Sequence, residues 1–284
     1  MVATSPLPRR RTRLDWSSPL TYVLAIAVAA VSIGPVIYVI LGGFRTTGQI
    51  AVDPAGLPHP WVWSTYSNVL QNSKFWYQLR NSGIIAGSTT IGVVVLGVLA
   101  AFVLARYTFR GREAIYTYFT IGLLFPAAAG ILPLYLLLRD LNLADSYLGV
   151  IIPQVAFQLP LTIVILRPFM RAIPAELEDA AVVDGTSRLG FFVRILLPLS
   201  GPALATVAVL AFVTSWNTYL LPLLVFNDSQ HFTLPLGVAD FQTQYSQDTA
   251  RILAFTALSM VPALTFFVFA ERRIVGGLSG SVKG

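Results

Sequence analysis

Three carboxylates, Glu176, Glu178 and Asp179, are concentrated in a polar segment that separates two long apolar runs of this chain. They follow Pro174, which suits the first position of a helix because the N–H that proline lacks would have no partner there. Negative charge in the opening turns also interacts favourably with the positive end of the helix dipole. The residue types and their spacing therefore predict a short helix whose acidic surface can contact something outside a bilayer.

The same segment continues through a turn into a second predicted helix. Two alanines, which combine high helix propensity with little bulk, are followed by Gly185. Glycine can end a helix because it takes the left-handed conformation without a Cβ penalty. Either Thr186 or Ser187 can cap the second helix. The apolar residues of that helix recur at helical spacing, at Leu189, Phe192, Ile195 and Leu196.

We call residues 174–198 the elbow, because the pattern predicts two short helices joined by a turn between two membrane spans. Its candidate contact residues are Glu178, Asp179, Ala180, Ala181, Asp184 and Gly185. Composition alone also allows a second interpretation, in which the elbow is an amphipathic linker that lies at the membrane interface without a contact role.

Neutral polar side chains inside the apolar runs form a second set of candidates. Gln154, Gln158 and Asn217 carry amides, and Thr214 and Ser215 stand close to the asparagine in the chain. An amide both donates and accepts hydrogen bonds, so it suits the hydroxyl groups of a sugar. We therefore regard the three amides as candidates for a solute pathway. The alternative is that they only join neighbouring helices, as neutral polar residues in membranes often do.

The apolar runs lack residues that several kinds of chemistry need, and this argues against those functions. They contain no Asp, Glu, Lys, Arg or His, although proton-coupled transport and intramembrane catalysis usually need ionisable groups at membrane depth. His59 and His231 are the only histidines and are far apart, without the spacing of metal ligands. The chain has no cysteine, which excludes a thiol nucleophile and a disulfide. We therefore predict no catalytic residues and no metal site.

ATP binding through a phosphate-binding loop is also excluded. That loop needs Gly-Lys followed by Ser or Thr, and the only lysines, Lys74 and Lys283, have other neighbours. ATP-driven work would thus need a partner protein. The net charge of +6 does not indicate nucleic-acid binding, because the basic residues fall in short loops where charge sets the orientation of a membrane protein.

The composition predicts an all-α membrane protein with one polytopic domain. Of the 284 residues, 55% are hydrophobic and only 11% charged, with a mean hydropathy of +0.71, whereas soluble domains carry about a quarter charged residues. Six apolar runs are long enough to cross a hydrocarbon core of about 30 Å. They cover residues 20–41, 84–105, 114–138, 148–166, 202–226 and 252–270.

Prolines and glycines interrupt several of these runs. The third contains Pro126, Gly130 and Pro133, and such breaks are tolerated where the freed backbone is buried or lines a cavity. A Gly83–Gly87 pair before the second run would allow close helix packing. The aromatic-rich stretch 43–83 predicts short helices at the interface, where amphipathic rings prefer to lie.

Basic residues are distributed unequally between the two sides of this topology. One side has 5, namely Arg45, Lys74, Arg80, Arg139 and Arg251. The other side has 14, namely Arg9, Arg10, Arg11, Arg13, Arg106, Arg110, Arg112, Arg167, Arg171, Arg188, Arg194, Arg272, Arg273 and Lys283. The richer side should be cytoplasmic. We therefore predict a cytoplasmic tail at 1–19, a spanning domain at 20–271 with a cytoplasmic loop at 168–201, and a cytoplasmic tail at 272–284.

The elbow resembles the EAA loop of permease subunits in bacterial ABC importers. That loop reads EAA, three residues, glycine, nine residues, isoleucine, one residue and Leu-Pro. The matching positions here are Asp179-Ala180-Ala181, Gly185, Ile195 and Leu197-Pro198, with Asp179 in place of the leading glutamate.

The resemblance extends from the first apolar run to the C-terminus. The chain is similar to the carbohydrate-importer permeases of the maltose type, and within them to the six-span, MalG-like subunit. The segments that carry this similarity are Asn81-Ser82, Ala105-Arg106-x-x-Phe109-x-Gly111, Pro126, Leu132-Pro133-Leu134-Tyr135, Ser215-Trp216-Asn217, Leu221-Pro222-Leu223, Thr233 to Gly237, Gly277-Leu278 and Val282-Lys283-Gly284.

The resemblance implies a type I ABC importer permease fold with six transmembrane helices, both termini cytoplasmic, in the bacterial plasma membrane. It implies a second, different permease subunit, a cytoplasmic ATPase dimer that binds ATP and Mg, and an extracytoplasmic sugar-binding protein. The elbow would be the coupling helix seated in the ATPase. The C-terminal tail, represented by Leu278, Lys283 and Gly284, would reach the same ATPase.

Other functions remain open at this point. The nearest alternative is the same kind of importer for another solute, such as a glycerophosphodiester or an oligopeptide. A secondary transporter is a weaker alternative, because the apolar runs lack the charges that proton coupling needs. An intramembrane enzyme is weaker still for want of catalytic side chains.

Overall fold

The computed structural model describes residues 19–242 and 247–281, and no β-strand occurs within these ranges. The first helices in chain order are α1 (Pro19–Gly42), α2 (Thr47–Val52), α3 (Ser64–Gln71), α4 (Ser73–Arg106), α5 (Arg112–Gly122), α6 (Ile131–Asp140) and α7 (Tyr147–Ala172). They are followed by α8 (Glu176–Val183), α9 (Arg188–Phe191), α10 (Leu197–Leu199), α11 (Gly201–Trp216), α12 (Leu220–Val225), α13 (Leu234–Gly237) and α14 (Thr249–Ser281). The prediction of an all-helical chain is confirmed for these residues.

Helix α4 is the centre of the bundle. It packs along α7 and α11, and α11 packs in turn along α14. Close approach of α4 to α7 depends on missing side chains, because a Cβ on Gly92 would lie 2.8 Å from Val155 and a Cβ on Gly97 would collide with Thr162. The predicted close-packing pair, Gly83 and Gly87, instead faces open space.

Among the described residues, four helices, α1, α4, α7 and α14 up to Ala270, are long and apolar enough to cross a membrane. The segment Arg188–Leu199 with α11 gives a fifth candidate, bent by 75°. The bend falls at Ser200, just before Pro202, which cannot donate a backbone hydrogen bond. Most side chains of α1 are exposed, and the helix continues through Pro35 without a break.

Two predicted spans are divided into shorter helices. The third run is broken between α5 and α6, where Pro126 and Gly130 stand in a series of turns. The fifth run is broken at residues 217–219, between α11 and α12. The second run is longer than predicted, because Asn72 caps α4 by accepting a hydrogen bond from the Lys74 N–H at 3.0 Å.

The predicted terminal tails are only partly covered by the described residues. Residues 1–18 lie outside the described ranges, so the predicted N-terminal tail is described only at Pro19, the first residue of α1. At the other end, α14 continues to Ser281, past the predicted boundary at residue 271. Leu278 belongs to this helix, whereas Lys283 and Gly284 lie outside the described residues.

The two ends of α4 meet different parts of the chain. Its last residue, Arg106, lies against the elbow, and we call this the elbow end of the bundle. Its first turns lie against residues 226–242, which we call the loop segment, and we call this the loop end. The loop segment contains two short 3₁₀ turns, Ser229–His231 and Val238–Phe241, with α13 between them.

Candidate functional site

The first half of the elbow is helix α8, which ends as the sequence predicts. Gly185 has a φ of +75°, in the left-handed region. Its N–H donates to the Val182 carbonyl at 3.0 Å, and the Thr186 N–H donates to the Ala181 carbonyl at 2.8 Å. These two bonds form a Schellman motif. Pro174, predicted at the first helical position, lies two residues before α8 begins.

The second half of the elbow begins at Ser187, one of the two predicted caps. Its hydroxyl accepts a hydrogen bond from the Gly190 N–H at 3.1 Å. Helix α9 then passes through one π-helical turn, Phe192–Leu196, into α10. Phe192 is buried against Phe102 of α4, with ring centroids 4.6 Å apart. The apolar side of this helix thus anchors the elbow to the bundle.

The predicted contact residues of the elbow face in two directions. Ala181 is buried among α4, α7 and α9, whereas Ala180, Asp179 and Asp184 are exposed. Glu178 is half-buried, and its Oε2 lies 3.8 Å from Nε of Arg106. Two of the six predicted contact residues therefore face the chain itself.

Three apolar side chains on the elbow are exposed; two of them were not singled out from the sequence, and the third, Leu189, was predicted on the apolar face of the second helix. Val182, Val183 and Leu189 are exposed to 61%, 87% and 69% of their surface. They flank the Gly185 turn, beside the exposed carboxylate of Asp184. An apolar surface rimmed by charge is typical of an interface. In the sequence, this surface is indicated by apolar residues next to the turn of an otherwise polar segment.

A cluster of charged side chains next to the elbow stabilises the elbow end of the bundle. Arg167 of α7 is buried, and its Nη2 lies 2.5 Å from Oε1 of Glu113 in α5. Its Nε donates to the Leu104 carbonyl at 3.0 Å, and its guanidinium lies 3.9 Å from the centre of the Tyr116 ring. This arginine therefore ties α7 to both α4 and α5.

The two predicted glutamines line one cavity of about 240 Å³. The cavity lies between α7 and the breaks that divide α5 from α6 and α11 from α12, and Thr214 and Thr218 contribute further hydroxyls. Its apolar walls are formed by Ala127, Ala128, Ile131, Leu134, Phe157, Leu220 and Leu221. Irregular backbone at membrane depth is tolerated where it lines such a cavity. Thr218 was not predicted, although it follows Asn217 directly.

The side-chain amide of Gln154 is hydrogen-bonded through its oxygen. It is buried, and its Oε1 accepts hydrogen bonds from the Ser215 hydroxyl and, at 3.4 Å, from the Thr89 hydroxyl. Its Nε2 is buried without a hydrogen-bond partner among the described residues. A buried donor without a partner is costly, so an acceptor such as a sugar hydroxyl would satisfy it.

Asn217, the third predicted amide, lies elsewhere. Its Nδ2 donates to the Val213 carbonyl at 2.8 Å, which caps the end of α11. It lines a separate cavity of about 450 Å³ between α11 and α14, together with apolar residues such as Phe255 and Met260. The structure therefore brings Gln154 and Gln158 together and places Asn217 apart from them.

The histidines were not predicted to bind a metal. His231 Nδ1 lies 3.1 Å from Oδ1 of Asp145, and His59 lines a surface cavity near Arg45. Within residues 19–242 and 247–281, no group of three or more His, Cys, Asp or Glu side chains could hold a metal ion. His231 therefore belongs to the contact between the loop segment and the start of α7.

Comparison with known families gives a match over residues 93–275 to the binding-protein-dependent transport system inner membrane component. This range contains the elbow and the glutamine cavity. The chain belongs to this family. It is therefore a membrane transport component and not an enzyme, and the resemblance in the elbow is confirmed at the level of the family.

Relatives of this transport component match over nearly their whole length. The diacetylchitobiose uptake system permease protein NgcG of Streptomyces coelicolor is 33% identical over 262 residues, with 92% of this chain and 87% of the relative covered. The trehalose transport system permease protein SugB of Mycobacterium tuberculosis is 33% identical, covering 92% and 96%. The sulfoquinovosyl glycerol transport system permease protein SmoH of Agrobacterium fabrum is 30% identical, covering 100% and 99%.

A solved structure shares the fold of this family member. It is a chain of a bacterial ABC transporter involved in the import of the acidic polysaccharide alginate, with a TM-score of 0.76 and 22% identity, covering 94% of this chain and 99% of that one. A second structure of the alginate transporter, in complex with an alginate pentasaccharide-bound periplasmic protein, gives a TM-score of 0.63 and 17% identity, covering 88% and 92%. The permease fold of an ABC importer is therefore confirmed.

Proposed function

We propose that this chain is one permease subunit of an ATP-driven sugar importer in the bacterial plasma membrane. Relatives named for diacetylchitobiose and trehalose transport support a sugar as the solute. In this proposal six segments cross the membrane, with α5–α6 and the helices from α10 to α12 acting as broken spans. Both termini and the elbow end face the cytoplasm, as the distribution of basic residues favours.

The proposed assembly contains partners on both sides of the membrane. A second, different permease subunit completes the pathway, and lipid surrounds the bundle. A cytoplasmic ATPase dimer holds ATP and Mg, and contacts the elbow and the tail residues Leu278, Lys283 and Gly284. An extracytoplasmic sugar-binding protein approaches the loop segment. The alginate transporter solved with its periplasmic protein supports a partner of this last kind.

The surface of the elbow carries the coupling proposal. Val183 is 87% exposed at the tip of α8, next to the exposed carboxylate of Asp184. The body of the elbow is fixed to the bundle through the buried Ala181 and Phe191. An exposed apolar residue at the end of a helix that is packed on the bundle is suited to insert into a cleft of a partner protein that moves the bundle.

Substitution of Gly185 tests this docking. We expect Gly185→Asp to abolish ATP-driven uptake of a labelled disaccharide panel while the chain stays inserted, because a Cβ is strained at a φ of +75° and a new charge opposes docking. Gly111→Asp is a matched control, since Gly111 has a φ of +91° and open space around its Cβ. Gly185→Asn separates charge from strain, because asparagine has the shape and the backbone preferences of aspartate but no charge.

The outcome of this series is decisive for the coupling role. We expect Gly111→Asp to retain uptake and Gly185→Asn to lose less uptake than Gly185→Asp. Wild-type uptake by Gly185→Asp would overturn the coupling role of the elbow. Uptake of no member of the panel by the wild-type importer would overturn the assignment to sugars and leave the family membership intact.

We propose further that the glutamine cavity is part of the sugar pathway. Gln154 and Gln158 provide amides, and Thr214 and Thr218 provide hydroxyls, on walls that carry no charged side chain. This lining matches neutral hydroxyl groups. A glycerophosphodiester carries a phosphate charge, for which these walls offer no cationic partner.

Uptake kinetics test the cavity. We expect Gln158→Leu to raise the KM for uptake about threefold to tenfold, the effect of losing one hydrogen bond to a sugar hydroxyl. Asn217→Leu is the matched control, because Asn217 lines the other cavity. An unchanged KM in Gln158→Leu, or an equal rise in Asn217→Leu, would remove this cavity from the pathway.

A further inference from the structure

A single arginine connects α4 to both arms of the elbow. Arg106 is the last residue of α4, and its side chain is only 7% exposed. Its Nε lies 3.8 Å from Oε2 of Glu178 in α8, and its guanidinium carbon lies 5.7 Å from the centre of the Phe191 ring in α9. One guanidinium therefore contacts the helix before the turn and the helix after it.

A second arginine–aromatic contact joins the same two segments, with the arginine in the elbow and the aromatic ring directly after α4. Tyr107 follows Arg106 in the chain, and the guanidinium of Arg188, the first residue of α9, lies 5.2 Å from the centre of its ring. Cations within about 6 Å of an aromatic ring are attracted to its face. The end of α4 and the second arm of the elbow are thus joined by two reciprocal arginine–aromatic contacts.

The contact between Arg106 and Glu178 is not fully closed. At 3.8 Å it exceeds the length of a charge-assisted hydrogen bond, which is about 2.7–2.9 Å. Nε and Nη2 of Arg106 are buried and have no hydrogen-bond partner in the described residues. Because unpartnered buried donors are costly, an approach of the elbow by about 1 Å would be favourable. The pair can therefore respond to a push on the elbow.

Helix α4 extends this contact to the opposite end of the bundle. Its 34 residues form one uninterrupted helix, which is about 50 Å long at 1.5 Å per residue. At the loop end, Asn81 and Ser82 of the same helix bind the loop segment. A displacement imposed at Arg106 is therefore delivered to a helix that contacts both α7 and α11 along its length.

We propose that Arg106 is a positioning residue that transmits movement of the elbow to α4, by tightening its contact with Glu178 when the elbow is pushed towards the bundle. This inference rests on the proposed docking of the elbow on an ATPase. Coupling between distant sites needs an element with two arrangements that both sites bias. The pair of Arg106 and Glu178, which is open at 3.8 Å and has room to close, provides such an element.

The test uses the complete importer, reconstituted in vesicles with its partner permease, ATPase and binding protein. The measured quantity is the number of sugar molecules imported per ATP hydrolysed, for the disaccharide that the wild-type importer transports. We expect Arg106→Gln to lower this ratio about tenfold, within the usual range of coupling between sites. Arg106→Lys retains the charge and should recover most of the ratio. Glu178→Gln should lower it as Arg106→Gln does.

Two controls separate this proposal from a general loss of structure and from failure of the docking itself. Arg110→Gln removes the same charge from an exposed position in the loop that follows α4, and should leave the ratio unchanged. The chain has no cysteine, so Val183→Cys gives a single site for cross-linking to the ATPase.

The outcomes distinguish the two proposals. We expect the cross-link to form in both the wild-type and the Arg106→Gln backgrounds. A cross-link with an unchanged ratio in Arg106→Gln, or an equal fall in Arg110→Gln, would overturn the role of Arg106. Absence of the cross-link in every background would instead overturn the docking of the elbow.

Discussion

The two ends of α4 are held in different ways. At the loop end, Asn81 is fully buried and donates from Nδ2 to the carbonyls of Gln230 and Phe232, at 2.6 and 3.0 Å. The Tyr147 hydroxyl donates to Asn81 Oδ1 at 2.7 Å, and the Leu234 N–H donates to the Ser82 hydroxyl at 2.9 Å. The loop segment is therefore fastened to α4 by several short, directional bonds.

At the elbow end, the contacts that Arg106 of α4 makes with the elbow are longer and less directional. Arg106 meets Glu178 at 3.8 Å and the Phe191 ring at 5.7 Å, and two of its nitrogens lack hydrogen-bond partners in the described residues. A hydrogen bond of 2.6–3.0 Å holds its two groups in one geometry, whereas an ion pair at 3.8 Å can still shorten. The difference indicates that the loop segment moves with α4 as one body, while the polar contact between Arg106 and the packed elbow can still shorten.

This contrast assigns different tasks to the two ends. A protein that binds the loop segment acts on α4 directly, because Asn81 and Ser82 leave little freedom between them. A protein that binds the elbow acts through a contact that must first close. The contact of Arg106 with the elbow is therefore where binding energy can be converted into movement, whereas the loop segment is joined to α4 by short hydrogen bonds.

The largest expected effect is the loss of Asn81. Replacement by leucine leaves the carbonyls of Gln230 and Phe232 and the hydroxyl of Tyr147 without their partner. We expect Asn81→Leu to lower the free energy of unfolding by about 3 kcal/mol, because each unsatisfied buried group costs about 1–3 kcal/mol and some will find water. Thermal unfolding of the purified chain in detergent measures this.

Tyr147→Phe provides the matched control, since it removes only the bond of 2.7 Å to Asn81. We expect it to cost about 1 kcal/mol. If Asn81→Leu proved no more destabilising than Tyr147→Phe, the loop end would not be the rigid end of α4, and the contrast between the two ends would fail.

Local backbone structure in the elbow was largely predictable from the sequence. The cap at Ser187 and the left-handed turn at Gly185 depend on the residue's own chemistry and on its immediate neighbours, which a sequence displays. The Schellman bonds at Gly185 follow from the same local rules. The break between α5 and α6 was similarly signalled by Pro126 and Gly130.

The orientation of side chains was not predictable in the same way. Ala180 and Ala181 are adjacent, yet one is exposed and the other buried, because successive residues of a helix point about 100° apart. Which of them faces inward depends on α4 and α7, which lie far away in the chain. The separation of Asn217 from the glutamines has the same origin, because Thr214 and Thr218 face the glutamine cavity, whereas Asn217 faces the cavity beside α14.

The smallest expected effect is the loss of a stabilising contact at the loop end when the pH is lowered. Asp145 has a φ of +53°, and its Oδ1 accepts hydrogen bonds from the N–H groups of Asn227 and Asp228, at 3.0 and 3.2 Å, and lies 3.1 Å from His231 Nδ1. Burial alone would raise the pKa of Asp145, but the hydrogen bonds from Asn227, His231 and Asp228 together hold it below its ordinary value of 3.8. The stabilisation is therefore present at neutral pH and is lost as the pH falls below about this ordinary value, through the lowered pKa of the folded chain.

Asp145→Asn isolates this contribution from other acid effects. We expect the variant to have a Tm lower by at most about 2 °C at pH 7, because a largely solvent-accessible group contributes less than about 1 kcal/mol. The difference should become smaller when both proteins are unfolded at pH 3, below the ordinary pKa of an aspartate. A difference that stayed constant between pH 7 and pH 3 would mean that the carboxylate charge does not anchor the loop segment. The short bonds of Asn81, which do not titrate, would then fasten this end without it.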